Sequence, residues 1–120
     1  MSFFEMLEGL LSDLSVPFYE GMPEFERSPP EAFIAYTVYD VPKLRGCGKE
    51  MVTTYYLTAN VYTSGKNKKR RADELGAALT KLLVKNGFIR SAGSFGISND
   101  FPRYYHRIIE FNYDEDLESE

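Results

Sequence analysis

The sequence predicts an α+β domain with elements in the order α-β-β-α-β-β, and two observations carry that reading. Apolar residues recur at helical spacing in two segments, one at the N-terminus and one across residues 72–83. Four other segments alternate with period two and are rich in β-branched and aromatic residues. Two strand pairs flanking a central helix make a mainly antiparallel sheet, with both helices packed on one face, the simplest architecture.

Each element has its own signal. Ser2, with Glu5 three residues on, forms a capping-box pattern in which each side chain satisfies a backbone donor left open by the first turn. Phe3, Leu7, Leu10, Leu11 and Leu14 make one apolar stripe, so a helix is expected from Ser2 to about Leu14. Val16-Pro17 ends it, because the residue before a proline is pushed out of the helical region. Between Tyr19 and Glu31, Gly21, Pro23, Pro29, Pro30 and four acids mark a loop or extended arm. Ala32–Asp40 then reads as a strand, with Ile34, Tyr36 and Val38 on one face and Phe33, Ala35, Thr37 and Tyr39 on the other. The stretch from Pro42 to Gly48 is expected to break it. Met51–Thr63 is a longer strand that sets Tyr55, Leu57, Ala59 and Val61 against Thr54, Tyr56, Thr58, Asn60 and Tyr62. An apolar face beside a Tyr/Thr face suits a sheet covered by helices on one side only.

After Ser64-Gly65 the period changes to that of a helix running to about Asn86, with Ala72, Leu75, Ala78, Leu79, Leu82 and Leu83 facing inward. Gly87 stands where a left-handed C-cap residue belongs, and Phe88 is placed to make the accompanying apolar contact. Phe88–Ile97 is a weaker strand, bulged towards its end by Gly93 and Gly96. Arg103–Tyr113 is a strong one, with Tyr105, Arg107, Ile109, Phe111 and Tyr113 on one face. A single domain is expected over residues 1–113, followed by an acidic, disordered tail over 114–120.

Composition bounds the function. The 120 residues suit one domain, and 43% hydrophobic with 27% charged residues is enough for a core without metal or disulfides. Nine Phe and nine Tyr exclude a disordered chain. The lone Cys47 excludes a disulfide framework. The net charge of −4 is concentrated: Asp114, Glu115, Asp116, Glu118 and Glu120 are five acids without a base, and setting them aside leaves +1. Neither part has the basic excess of a general nucleic-acid binder. Met1–Leu14 lacks a basic leader and carries Glu5, Glu8 and Asp13, so no secretory signal is expected. No apolar run reaches the ~18 residues of a membrane span, and a soluble protein made inside the cell is the expectation.

The raw material for catalysis is thin. The only histidine, His106, shares a strand face with Tyr104, Ile108 and Glu110, and reads as a packing or hydrogen-bonding residue rather than a base. Cys47 lies between Gly46 and Gly48 with Lys43, Arg45 and Lys49 nearby; a small residue in a hairpin loop explains it better than a reactive thiol. One His and one Cys give no metal-ligand spacing. Gly65-Lys66 is followed by Asn67, and Asn60 occupies the position where a phosphate-binding loop needs its first glycine. No catalytic, cofactor or metal site is expected, and the chain is not expected to be an enzyme.

Two features point to contacts. Lys66, Lys68, Lys69, Arg70 and Arg71 open the second helix, where positive charge opposes the macrodipole. Either Lys69–Asp73 and Arg70–Glu74 form i,i+4 pairs on a solvated face, or the segment awaits an anion: DNA phosphate, a partner's carboxylates or the acidic tail of the same chain. The second feature is the aromatic load. Tyr56, Tyr62 and Tyr104 fall on the face opposite the expected core, and tyrosine is enriched at protein–protein interfaces. Either they shield an exposed sheet face or they mark an assembly surface, and the apolar N-terminal helix and Pro-rich arm favour assembly.

The order of elements resembles that of the small tail-terminator and head–tail joining (tail completion) proteins of long-tailed bacteriophages and prophages. The shared layout is an N-terminal helix leading into a Pro-containing loop (Leu14–Tyr19), a strand of Ile/Tyr/Val pattern (Phe33–Tyr39) and a long strand ending in a Tyr-Thr turn (Tyr55–Thr63). A helix closing in Asn86-Gly87-Phe88 and a final strand pair complete it. The resemblance covers nearly the whole chain as topology and texture, and it transfers no individual functional residue. It implies a virion structural protein, without cofactor, made in the host cytoplasm and then incorporated in the tail or neck. Subunits would close into a ring, commonly a hexamer, that mates with tail-tube and connector or neck proteins while DNA passes without sequence recognition. In that setting Lys66–Arg71 and the stretch Asp114–Glu120 would form subunit or ring contacts, or the acids would face the channel. The alternative is a small nucleic-acid-associated or regulatory binding domain that uses residues 66–71.

Overall fold

The computed structural model describes residues 2–25, 29–45, 50–97 and 103–116. Two helices and five strands form one α+β unit: α1 (Phe3–Ser12), β1 (Phe18–Glu20), β2 (Ala32–Arg45), β3 (Glu50–Ser64), α2 (Lys68–Lys85), β4 (Ile89–Ile97) and β5 (Tyr104–Asp116). The strands make a single mixed sheet in the order β1-β2-β3-β5-β4. β1 runs parallel to β2, and the other neighbours are antiparallel. The α+β class and the four longer strands agree with the sequence reading; β1 and the parallel pairing are additions to it.

Both helices pack on one sheet face, where period-two alternation delivers the side chains that face them. Phe3, Leu7 and Leu11 of α1 and Leu79 and Leu83 of α2 meet Ile34, Tyr36, Leu57, Ala59, Val61, Ile109 and Phe111 in one buried cluster. The capping box at Ser2 and Glu5 is formed in both directions. α1 stops at Ser12, earlier than the proline signal suggests, because Ser15 turns the chain with φ 58° before Val16-Pro17 is reached. At the far end of α2, Gly87 has φ 97°, its N–H donates to the Val84 carbonyl and the Phe88 N–H donates to Leu83. This is the paired C-cap that the Asn-Gly-Phe sequence predicts, and Phe88 is buried in the same core.

Ala78, expected inward, is exposed, and Gly76 is buried in its place. A Cβ on Gly76 would sit 2.9 Å from the Cδ and Nε of Arg107 and 3.1 Å from Cδ1 of Ile109. The missing side chain therefore sets the phase of α2 by letting β5 come close, an advantage that offsets the ~1 kcal/mol glycine costs inside a helix.

The opposite sheet face is not bare. Phe33, Ala35, Tyr62 and Tyr104 form a second buried cluster, against which Tyr19 and Phe25 pack. The stretch expected as a loop or extended arm thus supplies part of a strand and a cover. The Tyr104 hydroxyl lies 3.0 Å and 2.8 Å from the carbonyl oxygens of Pro29 and Pro30, tying the far end of the arm to β5.

β2 also continues through Pro42, where a break was expected. The Ile34 N–H donates to Pro17 and the Tyr36 carbonyl accepts from Gly21, so even-numbered residues of β2 turn their backbone groups outward, away from β3. Pro42 falls in that outward set, and its missing N–H costs the β2–β3 ladder nothing. In β4 the irregularity lies between Arg90 and Ala92, nearer the start of the strand than expected.

Candidate functional site

The basic segment divides into residues committed to the fold and residues that are not. Gly65 (φ 82°) and Asn67 (φ 62°) turn the chain, and α2 opens at Lys68 without a side-chain cap. Arg71 places Nη1 2.6 Å from Oε1 of Glu31 and 3.3 Å from the Ser64 carbonyl, pinning the start of β2 to the end of β3. Lys68 donates from Nζ to the Arg103 carbonyl at 3.3 Å, and its own carbonyl accepts from the Thr63 hydroxyl at 2.6 Å. Lys66, Lys69 and Arg70 are exposed and make no ion pair among the described residues. The i,i+4 pairs expected for Lys69–Asp73 and Arg70–Glu74 do not form, since Asp73 turns instead to Nη1 of Arg107 at 3.2 Å. A partly buried guanidinium exerts the stronger pull on a carboxylate than a solvated lysine.

Asp114, Glu115 and Asp116 do not begin a disordered tail. They are strand residues of β5, paired with Thr54, Thr53 and Val52 of β3. Thr54 fixes the register by donating from its hydroxyl to Oδ1 of Asp114 at 2.7 Å. The basic segment adjoins the other end of this ladder, where Ser64 pairs with Tyr104. Ten residues of strand at about 3.4 Å each separate the two ends, so these three acids do not dock on the basic segment of their own chain. Glu118 lies outside the described residues, as does Cys47. The Tyr55 hydroxyl is pushed up from the usual tyrosine range by burial, then by the fields of Glu115 and Asp40.

Of the three tyrosines expected on the open face, two are internal. Phe33, Tyr62 and His106 are cross-strand partners on β2, β3 and β5 and form a ladder of stacked rings, with centroids 4.8 Å and 4.2 Å apart. His106 completes it through a 2.8 Å hydrogen bond between Nε2 and Oδ1 of Asn60. Tyr62 and Tyr104 are buried by the arm, a cover that composition alone does not reveal. Tyr56 is half-buried and stacks at 4.9 Å on Tyr39, which is 62% exposed.

A groove of about 530 Å³ between α2 and β4 had no sequence signal. Gly76 and Val84 line it together with Lys81, Lys85, Arg90 and Arg107. Its four cations are spread over three elements, so no run of charge announces them. Among the described residues, no three His, Cys, Asp or Glu side chains converge in a way that would hold a metal ion. No helix there is long and apolar enough to cross a membrane. In comparisons with known proteins, no family model matches the chain and no curated protein matches it.

Proposed function

We propose that this chain is a phage or prophage structural subunit of the tail-terminator or head–tail joining type, which acts by closing into a ring, most simply a hexamer. The observation that carries this reading is that the sheet ends in two open and unlike edges. Among the described residues, β1 covers β2 only from Ile34 to Tyr36, and no strand pairs with the outer side of β2 beyond Thr37. At the other end β4 pairs with β5 alone. Exposed edges favour association, and contacts between two different edges of identical subunits propagate head to tail and close into rings when the rotation permits. Exposed apolar side chains accompany both edges: Tyr39 and Val41 on β2, Val84 and Ile89 beside and on β4. In this reading the acidic end of the β3–β5 ladder and the basic start of α2 lie at opposite rims of the ring, where tail-tube and connector proteins would dock. The test is electron microscopy of the purified chain with and without tail tubes. Rings that cap tube ends support the proposal, and a chain that neither forms rings nor binds tubes contradicts it.

A second reading, a nucleic-acid-associated domain, draws on the exposed Lys66, Lys69 and Arg70 at an uncapped helix start. It predicts DNA binding with a steep salt dependence that is lost in Lys69→Glu/Arg70→Glu.

A further inference from the structure

The two ends of the sheet carry opposite charge. Residues 2–26 hold six acids and no base, whereas residues 66–90 hold eight bases against Asp73 and Glu74. The two segments touch where α1 meets α2 and where the Phe3 and Phe88 rings lie 5.9 Å apart, so the contrast is between the exposed charges that each presents farther out. Glu20 of β1 pairs with Tyr36 of β2, and Leu7 and Leu11, on either side of Glu8 in α1, pack in the same cluster as Tyr36, whose hydroxyl feels the fields of both acids, so Glu8 and Glu20 lie on the β1–β2 side. α2 lies over β3, β5 and β4, so the groove with Lys81, Lys85 and Arg90 sits at the β4 end. Glu8, Glu20, Lys81, Lys85 and Arg90 are exposed and engage no partner within the chain among the described residues. Each charged end also presents apolar surface: Met22 and Tyr39 at the acidic end, Val84 and Ile89 (63% exposed) at the basic one.

We infer that the α2–β4 groove is the seat of a second copy of this chain, which inserts its acidic α1–β1 end between Lys81, Lys85 and Arg90. The inference deepens the ring-assembly reading and rests on it. A two-fold contact through either end would set like charge against like, whereas a head-to-tail contact sets acid against base at every junction. Electrostatic complementarity therefore selects the heterologous geometry that a ring requires. Ala77 and the Val84 side chain, both exposed, give the incoming end an apolar surface, and the cations around them supply orientation.

A charge-swap experiment tests this. Glu8→Lys/Glu20→Lys reverses the two acids placed to enter the groove, and Lys81→Glu/Lys85→Glu reverses two of the cations that would meet them, without removing any side-chain hydrogen bond among the described residues. Like-charge contacts across an interface cost enough that each variant alone should self-associate roughly a hundredfold more weakly than the parent, read by sedimentation velocity. Mixed in equal amounts, the two variants should restore assembly, because each now supplies the end the other lacks. Circular dichroism and thermal melts of each variant establish that it is folded. If the parent assembles and both folded variants assemble equally well alone, or if the mixture stays dissociated, this interface is wrong while self-assembly stands. If the parent itself remains a monomer at all concentrations, the ring reading fails first.

Discussion

Single side chains and single backbone angles decide how α2 is seated. Gly87 holds φ 97° with the Tyr113 ring 3.3 Å from where a Cβ would be. Gly87→Ala should therefore lower unfolding free energy by about 1–2 kcal/mol, the cost of a left-handed L-residue, as read by urea denaturation. Tyr104→Phe removes only the hydroxyl that lies against Pro29 and Pro30. It should cost ~0.5–1.5 kcal/mol globally and expose the arm to proteolysis before the sheet. Tyr36 offers a pH test. Burial first, then Glu8 and Glu20, raises its hydroxyl above the usual tyrosine range in the folded state. The unfolded chain then loses its proton first as pH rises, so stability present at neutral pH declines through the alkaline range. Tyr36→Phe should flatten that alkaline decline in a stability-versus-pH titration, and an unchanged slope would remove Tyr36 from the account.

At the scale of elements, the sequence announces those features that repeat and conceals those that depend on a neighbour. Period-two alternation correctly sorts the residues of β2, β3 and β5 into their two faces, and the caps of α1 and α2 follow from Ser2-Glu5 and Gly87-Phe88. β1 has three residues, too few for a period, and exists only because the β2 edge lies beside it. Pro42 looks like a breaker until the parity of β2 shows its missing donor facing outward. Asp114–Asp116 look like a tail because acids are poor strand formers, yet the length of β3 and the Thr54 hydroxyl carry the ladder past them. The candidate site was legible in the same uneven way. The basic run was visible, but not that Lys68 and Arg71 serve the fold. The tyrosines were visible, but not that the arm buries Tyr62 and Tyr104. The α2–β4 groove, assembled from residues far apart in sequence, was not visible at all. Cutting Arg71 loose with Glu31→Ala tests this division of labour. It should destabilise the junction between β2 and β3 by less than about 1 kcal/mol, as expected of an exposed pair, and leave any DNA affinity of Lys66, Lys69 and Arg70 unchanged in a binding titration.

For the whole molecule, a body of 54 × 26 × 25 Å is elongated along its long strands, and its acidic and basic sheet edges, each bordered by exposed apolar side chains, face away from each other across a short dimension. The charge of −4 is thus the sum of well-separated surfaces rather than a uniform acidic coat. Salt should weaken self-association driven by such ends, since exposed charge pairs are screened beyond about 8–10 Å at moderate ionic strength. Ring closure can be read by sedimentation velocity of the purified parent chain over a wide concentration range at low salt. A single closed species of fixed stoichiometry in exchange with monomer, shifting towards monomer as salt is raised, is the expected result. A monomer at every concentration, or an isologous dimer insensitive to salt, would contradict it.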